Sequence, residues 1–115
     1  MTDTDISFRL AARDDVESLL NLLPQITSRP GGLPAKGVGI DQSIRIFDKM
    51  AAHGNVRIIV GESGDDLVAT LTIAIIPNLM YAGRPWSIIE NVVVARDLRG
   101  KGVGKKIMKF AFDLA

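Results

Sequence analysis

The chain has 115 residues, 47% of them hydrophobic and 23% charged, with a formal net charge of +1. These totals fit one small domain, residues 1–115, with a modest core, and do not fit a disordered chain. With no cysteine present, disulfides, thiolate metal sites and a cysteine nucleophile are excluded, and the near-neutral charge leaves any polyanion binding to a local patch.

The N-terminus, MTDTDISFRL, is acidic and lacks the basic and apolar regions of a signal peptide. No apolar run approaches the roughly 20 residues that span a bilayer. A cytoplasmic protein with no membrane partner is expected. Ile6 to Leu10 reads as a short strand. From Asp14 the pattern becomes helical, with Val16, Leu19, Leu20, Leu23 and Ile26 on one face, Asp14 as N-cap and Glu17 in capping-box spacing. Pro24 should end or kink this helix. Thr27 to Gly39 carries prolines and glycines and reads as a loop.

A second helix is expected over IDQSIRIFDKMAAHGN, capped by Asp41, burying Ile44, Phe47 and Ala51, and ending at Gly54. His53, the sole histidine, falls in its last turn, where a positive charge suits the helix dipole. NVRIIV and LVATLTIAII read as two strands of an antiparallel hairpin around a GESGDD turn. WSIIENVVVA is a long apolar strand. Tyr81 and Trp86, ahead of and at its start, are expected to cap the core or else to line an acceptor pocket. A last helix should bury Val103, Ile107, Phe110 and Leu114, with Lys101, Lys105, Lys106 and Lys109 on its polar side. The expected order is β-α-α-β-β-β-α.

Between the last strand and the last helix lies Arg99-Gly100-Lys101-Gly102-Val103-Gly104. Glycines allow positive φ and close backbone approach, and a helix start offers unpaired N–H groups and the positive end of a dipole. The combination suits a phosphate group. The spacing fails the nucleotide-binding P-loop, because Arg99 and Lys106 stand where Gly and Ser/Thr are required. It also fails the G-x-G-x-x-G dinucleotide pattern, where Lys105 or Ile107 replaces the third glycine.

What remains is R-x-x-G-x-G, formed by Arg99, Gly102 and Gly104. Here the chain resembles the Gcn5-related N-acetyltransferase (GNAT) superfamily, and the resemblance covers nearly all of it, from FRLAARDDVESLLNLL through SIIENVVVARDLRGKGVGKKIMKFAFDLA. It implies an α/β (α+β) fold with a mixed, largely antiparallel central sheet flanked by helices. Family members continue with a fifth strand, a fourth helix and further strands, so an incomplete domain is expected at Ala115.

The resemblance also implies acetyl-CoA as cosubstrate, no metal, and direct transfer to a small-molecule amine or peptide amine in a ternary complex. Arg99, Gly100, Lys101, Gly102, Val103, Gly104 and Lys105 would hold the pyrophosphate. The backbone of Val92, Val93 and Val94 would pair with the pantetheine arm and supply an oxyanion donor. Glu90, flanked by Ile88, Ile89 and Val92 on an apolar strand, is the candidate general base, raised in pKa if buried, or an acceptor contact; otherwise it is a strand glutamate at a solvated edge or a salt-bridge partner of Arg57 or Arg84. Asn91 should face the opposite side unless a bulge intervenes. Arg29 and Lys36 in the glycine-rich loop would meet an anionic acceptor or be solvated. A non-catalytic acyl-CoA-binding or regulatory module is the competing reading. A nucleic-acid partner is not expected, and a homodimer stays open as the assembly.

Overall fold

The computed structural model describes residues 5–25 and 39–114. The four strands are β1 (Ser7–Leu10), β2 (Val56–Ser63), β3 (Asp66–Ile76) and β4 (Trp86–Val94). They form one antiparallel sheet in the order β1-β2-β3-β4. The helices are α1 (Val16–Leu22), α2 (Ile40–His53) and α3 (Val103–Leu114). The element order is the one read from the sequence. Among the described residues no helix is long and apolar enough to cross a membrane.

The sheet is covered on both faces. On β3, Ile73 and Ile75 line one cavity with Ala111 and Leu114 of α3, and Phe8 of β1 meets Phe110 of α3 at a ring-centroid distance of 6.0 Å. The alternate residues of β2, Val56 and Ile58, look toward Phe47 and Met50 of α2. The core joins Leu22, Ile59, Leu71, Ile73, Val93, Val103 and Ile107, each nearly or wholly buried. Burial of this apolar surface is the main stabilising term. Thr70, buried in the same layer, donates its hydroxyl to the Ile59 carbonyl at 2.8 Å, which satisfies the polar group.

Several local expectations need correction. Asp14 is not the N-cap: the first helical segment opens as a 3₁₀ turn over Arg13–Asp15 with Ala12 at the N-cap, and Asp15 at the third position bonds back to it. The Asp15 carboxylate accepts the Ala12 N–H at 2.6 Å and the Arg9 guanidinium at 2.7 and 2.9 Å. That guanidinium holds the Asp15 carboxyl below its ordinary range. Leu22 takes the buried place expected for Leu20, which is exposed; the sheet accepts a stripe stepping by three, Val16-Leu19-Leu22, and Pro24 ends the helix in a 3₁₀ turn over Leu23–Gln25. Ile26 and the loop residues Arg29 and Lys36 lie outside the described residues.

Gly39 occupies the N-cap of α2, and Asp41 sits in the first turn without a capping bond. Of the expected face, Ile44 and Phe47 are half-buried and Ala51 is exposed. Gly54 closes the helix at φ +83°, after His53 in the last turn. The hairpin turn is tighter than expected, because β2 runs to Ser63 and β3 starts at Asp66. On α3 the fully buried residues are Val103, Ile107 and Ala111, while Phe110 is partly buried and Leu114 exposed. Tyr81 and Trp86 do not cap the core; both are exposed.

Candidate active site

The Arg99–Gly104 segment is built in two stages. After β4 a 3₁₀ turn over Arg96–Leu98 drops Leu98 into the core, where it is 4% exposed. The chain then passes through Gly100 at φ +80° and Gly102 at φ +82° before α3 opens at Val103. Both angles lie in the left-handed region, which glycine adopts without strain. An added Cβ at either glycine would meet nothing within 4 Å, so the backbone at both is open on its outer side. Lys106 N–H bonds the Gly102 carbonyl at 3.2 Å. Helix geometry leaves the N–H groups of Val103, Gly104 and Lys105 ahead of it without i−4 partners. Those amides, the dipole of α3 and the exposed Lys101 and Lys105 make an anion-accepting end.

Arg99 does not simply point outward. Its Nε donates to the Val94 carbonyl at 3.1 Å, and its Nη2 donates to the Gln25 carbonyl. The cation is therefore fixed beside the turn by the end of β4 and the end of the α1 segment.

β4 is broken in the middle. Thr72 pairs with Glu90 and Thr70 with Val93, so Leu71 stands opposite both Asn91 and Val92. The extra residue is a β-bulge, and Asn91 absorbs it at φ +57°. Beyond the bulge, Ala95 N–H donates to Val68 at 2.8 Å. By the alternation of an antiparallel ladder, Val93 also turns its amide toward β3, whereas Val92 and Val94 aim theirs at the free edge. Of the three valines, then, two are placed to pair with an added strand. The Val94 carbonyl on that edge accepts Arg99. The Val92 side chain lines a groove of ≈ 530 Å³ with Gly104, Lys105, Met108, Lys109 and Phe112.

Glu90 lies at the bulge on the sheet face opposite this groove. It is exposed, which agrees with the solvated-edge alternative and corrects the reading of a carboxylate buried among Ile88, Ile89 and Val92. β4 has no neighbour on its far side among the described residues, and its edge side chains keep contact with solvent. The structure therefore gathers Glu90, the Val92 and Val94 amides, and residues 99–105 along one edge. The part that sequence reading missed is Gln25, which holds the turn through both its carbonyl and its side-chain oxygen. No local signal marks a glutamine that acts 71 residues away.

A family model described as acetyltransferase (GNAT) family matches residues 21–115. A curated relative, the glucosamine 6-phosphate N-acetyltransferase of Trypanosoma brucei brucei, is 31% identical over 110 residues, covering 94% of this chain and 71% of its own length. Among solved structures, a protein from Agrobacterium tumefaciens named as an acetyltransferase superposes with a TM-score of 0.77 at 34% identity, over 95% of this chain and 72% of that one. Glucosamine-6-phosphate N-acetyltransferase from Arabidopsis thaliana does so with a TM-score of 0.80 at 26% identity, over 94% and 72%.

Proposed function

The chain belongs to the GNAT acetyltransferase family and is an acyltransferase, and from that premise we propose that it moves an acetyl group from acetyl-CoA to a primary amine by direct attack. The observation that carries this reading is the convergence on one edge of an anion-accepting helix start at Val103–Lys105 and a free, bulged strand edge at Val92 and Val94.

The residues present fit such a donor. The pyrophosphate has backbone amides at 103–105 and the cations Lys101 and Lys105 within the same turn. An extended amide chain has the Val92 and Val94 backbone to pair with, in the manner of an added strand. The thioester carbonyl oxygen would take its hydrogen bond from an edge amide of this stretch, where charge develops as the amine nitrogen attacks. The nitrogen–carbon bond forms, the carbon–sulfur bond breaks, and CoA departs as the thiolate. Before the attack Glu90, exposed beside the bulge, accepts one proton of the ammonium directly or through one water; the second amine proton is lost as the tetrahedral intermediate collapses and passes through solvent to the departing thiolate, so that CoA is released as the thiol.

Relatives named for glucosamine 6-phosphate make that amino sugar the first acceptor to assay, within a panel of small amines and peptide amines. Thiol release from acetyl-CoA that depends on the amine and yields the N-acetyl product is the expected result. Tight CoA binding with no thiol release from any amine would instead leave an acyl-CoA-binding module.

A further inference from the structure

The cradle residues come from the C-terminal quarter of the chain, yet two of the bonds that shape the turn come from Gln25. Its Oε1 accepts the Arg96 N–H at 3.1 Å, and its backbone carbonyl accepts Nη2 of Arg99. Arg99 in turn ties Nε to the Val94 carbonyl at 3.1 Å. One residue thus grips both ends of the 3₁₀ turn over Arg96–Leu98, and through Arg99 it reaches the last residue of β4. Gln25 arrives there because α1 stops at Leu22 and the Leu23–Gln25 turn redirects the chain across the sheet end.

The turn has reason to need an external hold. Gly100 and Gly102 carry little intrinsic conformational preference, so an ordered cradle loses much backbone entropy on forming. Apart from buried Leu98, residues 96–102 are exposed and gain little from packing. A cradle whose amides are already aimed binds its anion without that ordering term.

We infer that Gln25 is a positioning residue for the cofactor turn, clasping Arg96 and Arg99 so that the amides of the helix start and the Val94 edge keep one fixed geometry. The inference rests on the reading of residues 99–105 as the CoA pyrophosphate site, and its test separates the two.

Three forms of the 115-residue chain are compared: parent, Gln25→Met, which keeps the length and the backbone carbonyl that accepts Arg99 but removes the side-chain acceptor of Arg96, and Gln25→Glu, which keeps an oxygen acceptor. Hydrogen exchange without ligand reads the clasp alone. Gln25→Met should speed exchange of amides 96–104 by roughly 5- to 10-fold, with α3 and β3 unchanged, and Gln25→Glu should restore the parent rates. Calorimetry then reads its consequence. Gln25→Met should weaken CoA about 5-fold, and raise KM for acetyl-CoA by a similar factor with kcat nearly unchanged. Unchanged exchange at 96–104 overturns the Gln25 side chain as a positioning group, as does loosening that spreads over the whole sheet. A looser turn with unaltered CoA affinity overturns its positioning role. A parent chain that binds no CoA overturns the assignment of the turn instead, and the exchange data still decide whether the clasp exists.

Discussion

Glu90 and Val93 project from the same face of β4, although three positions separate them and strict alternation would set them on opposite faces. Their partners on β3, Thr72 and Thr70, are two positions apart, and Asn91 takes up the difference at φ +57°. Without the bulge, a strand that buries Val93 would turn Glu90 to the groove side with α3. The bulge is thus what separates the carboxylate from the groove while keeping both at one edge.

Asn91→Val should therefore harm both fold and activity. A β-branched residue is poorly tolerated at positive φ, where the penalty is about 1–2 kcal/mol. Denaturant unfolding should show a loss of that size, and kcat/KM should fall further as the strand shifts register. Asn91→Gly accepts the same φ and should retain activity. A fully active, fully stable valine variant would remove the bulge from the account.

Glu90→Gln keeps the shape of the side chain and removes the proton acceptor. If Glu90 takes the amine proton, kcat should drop by roughly 10²-fold or more while KM for acetyl-CoA stays put, because the proposed donor contacts, the Val92 and Val94 backbone and the helix start, do not include the Glu90 side chain. Steady-state kinetics with both substrates varied make the distinction. An equal rise in KM for the amine with kcat intact would recast Glu90 as an acceptor contact only.

The sequence was legible where side-chain chemistry and backbone demand coincide. Gly100 and Gly102 declare a turn because only glycine sits easily at their φ, and Val103 and Ile107 declare a buried helix face by spacing. The legible part of the site was the part contiguous in the chain. Asn91 was harder, since a bulge depends on the register of a partner strand, and Glu90 stayed open between burial and a solvated edge, because apolar neighbours suggest the first and only the strand's place in the sheet decides for the second. Gln25 was invisible, as its role exists only once β4 and the α1 segment meet. Leu20 and Leu22 show the same limit on a smaller scale: both satisfy a helical stripe, and only packing against the sheet chooses between them.

Between β3 and β4 the chain turns through Tyr81, Ala82 and Gly83 at φ of +55°, +60° and +80°. Gly83 bears this without strain, but Ala82 does not. Ala82→Gly removes a left-handed alanine and adds some unfolded-state entropy, for a net stabilisation of about 0.5–1 kcal/mol. A raised melting temperature checks it; a lowered one would mean that the loop relaxes in solution.

Acid should loosen the ion pair that ties Arg9 of β1 to Asp15 of the first helical turn. The Asp15 carboxyl is held below its ordinary value chiefly by its hydrogen bonds from Arg9, within a cluster that also joins Arg9 to Glu62 at 3.0 Å. A depressed folded-state value means that the stabilisation is complete above the unfolded carboxyl range, near pH 4, and is lost as the pH falls below it. Asp15→Asn should destabilise the chain at neutral pH by about 1–2 kcal/mol, less than a buried pair would give because Arg9 is partly exposed. The variant should also flatten the stability profile below pH 4. A parallel drop in both proteins would place the acid-sensitive group elsewhere.

Gly102 and Gly104 differ in what a side chain would disturb, and this gives a clean test of the cradle. Gly102 has φ +82° and open space around a built Cβ, so Gly102→Ala stresses the backbone by about 1–2 kcal/mol. Gly104 lies in the first turn of α3 with an ordinary φ, and its built Cβ would approach the Val94 Cγ2 at 4.0 Å, an ordinary contact. Valine is no worse than glycine in a helix, so Gly104→Val should leave stability within about 0.5 kcal/mol. Its methyl groups, however, would stand over the helix start between the amides that lack i−4 partners and the edge of β4. CoA affinity should fall at least 10-fold in Gly104→Val with the fold intact, whereas in Gly102→Ala weaker binding should accompany lost stability. Titration calorimetry at a temperature where both variants are folded separates the effects. A stable Gly104→Val variant that binds CoA like the parent would show that no ligand approaches the helix start closely, and the pyrophosphate assignment would have to move away from it.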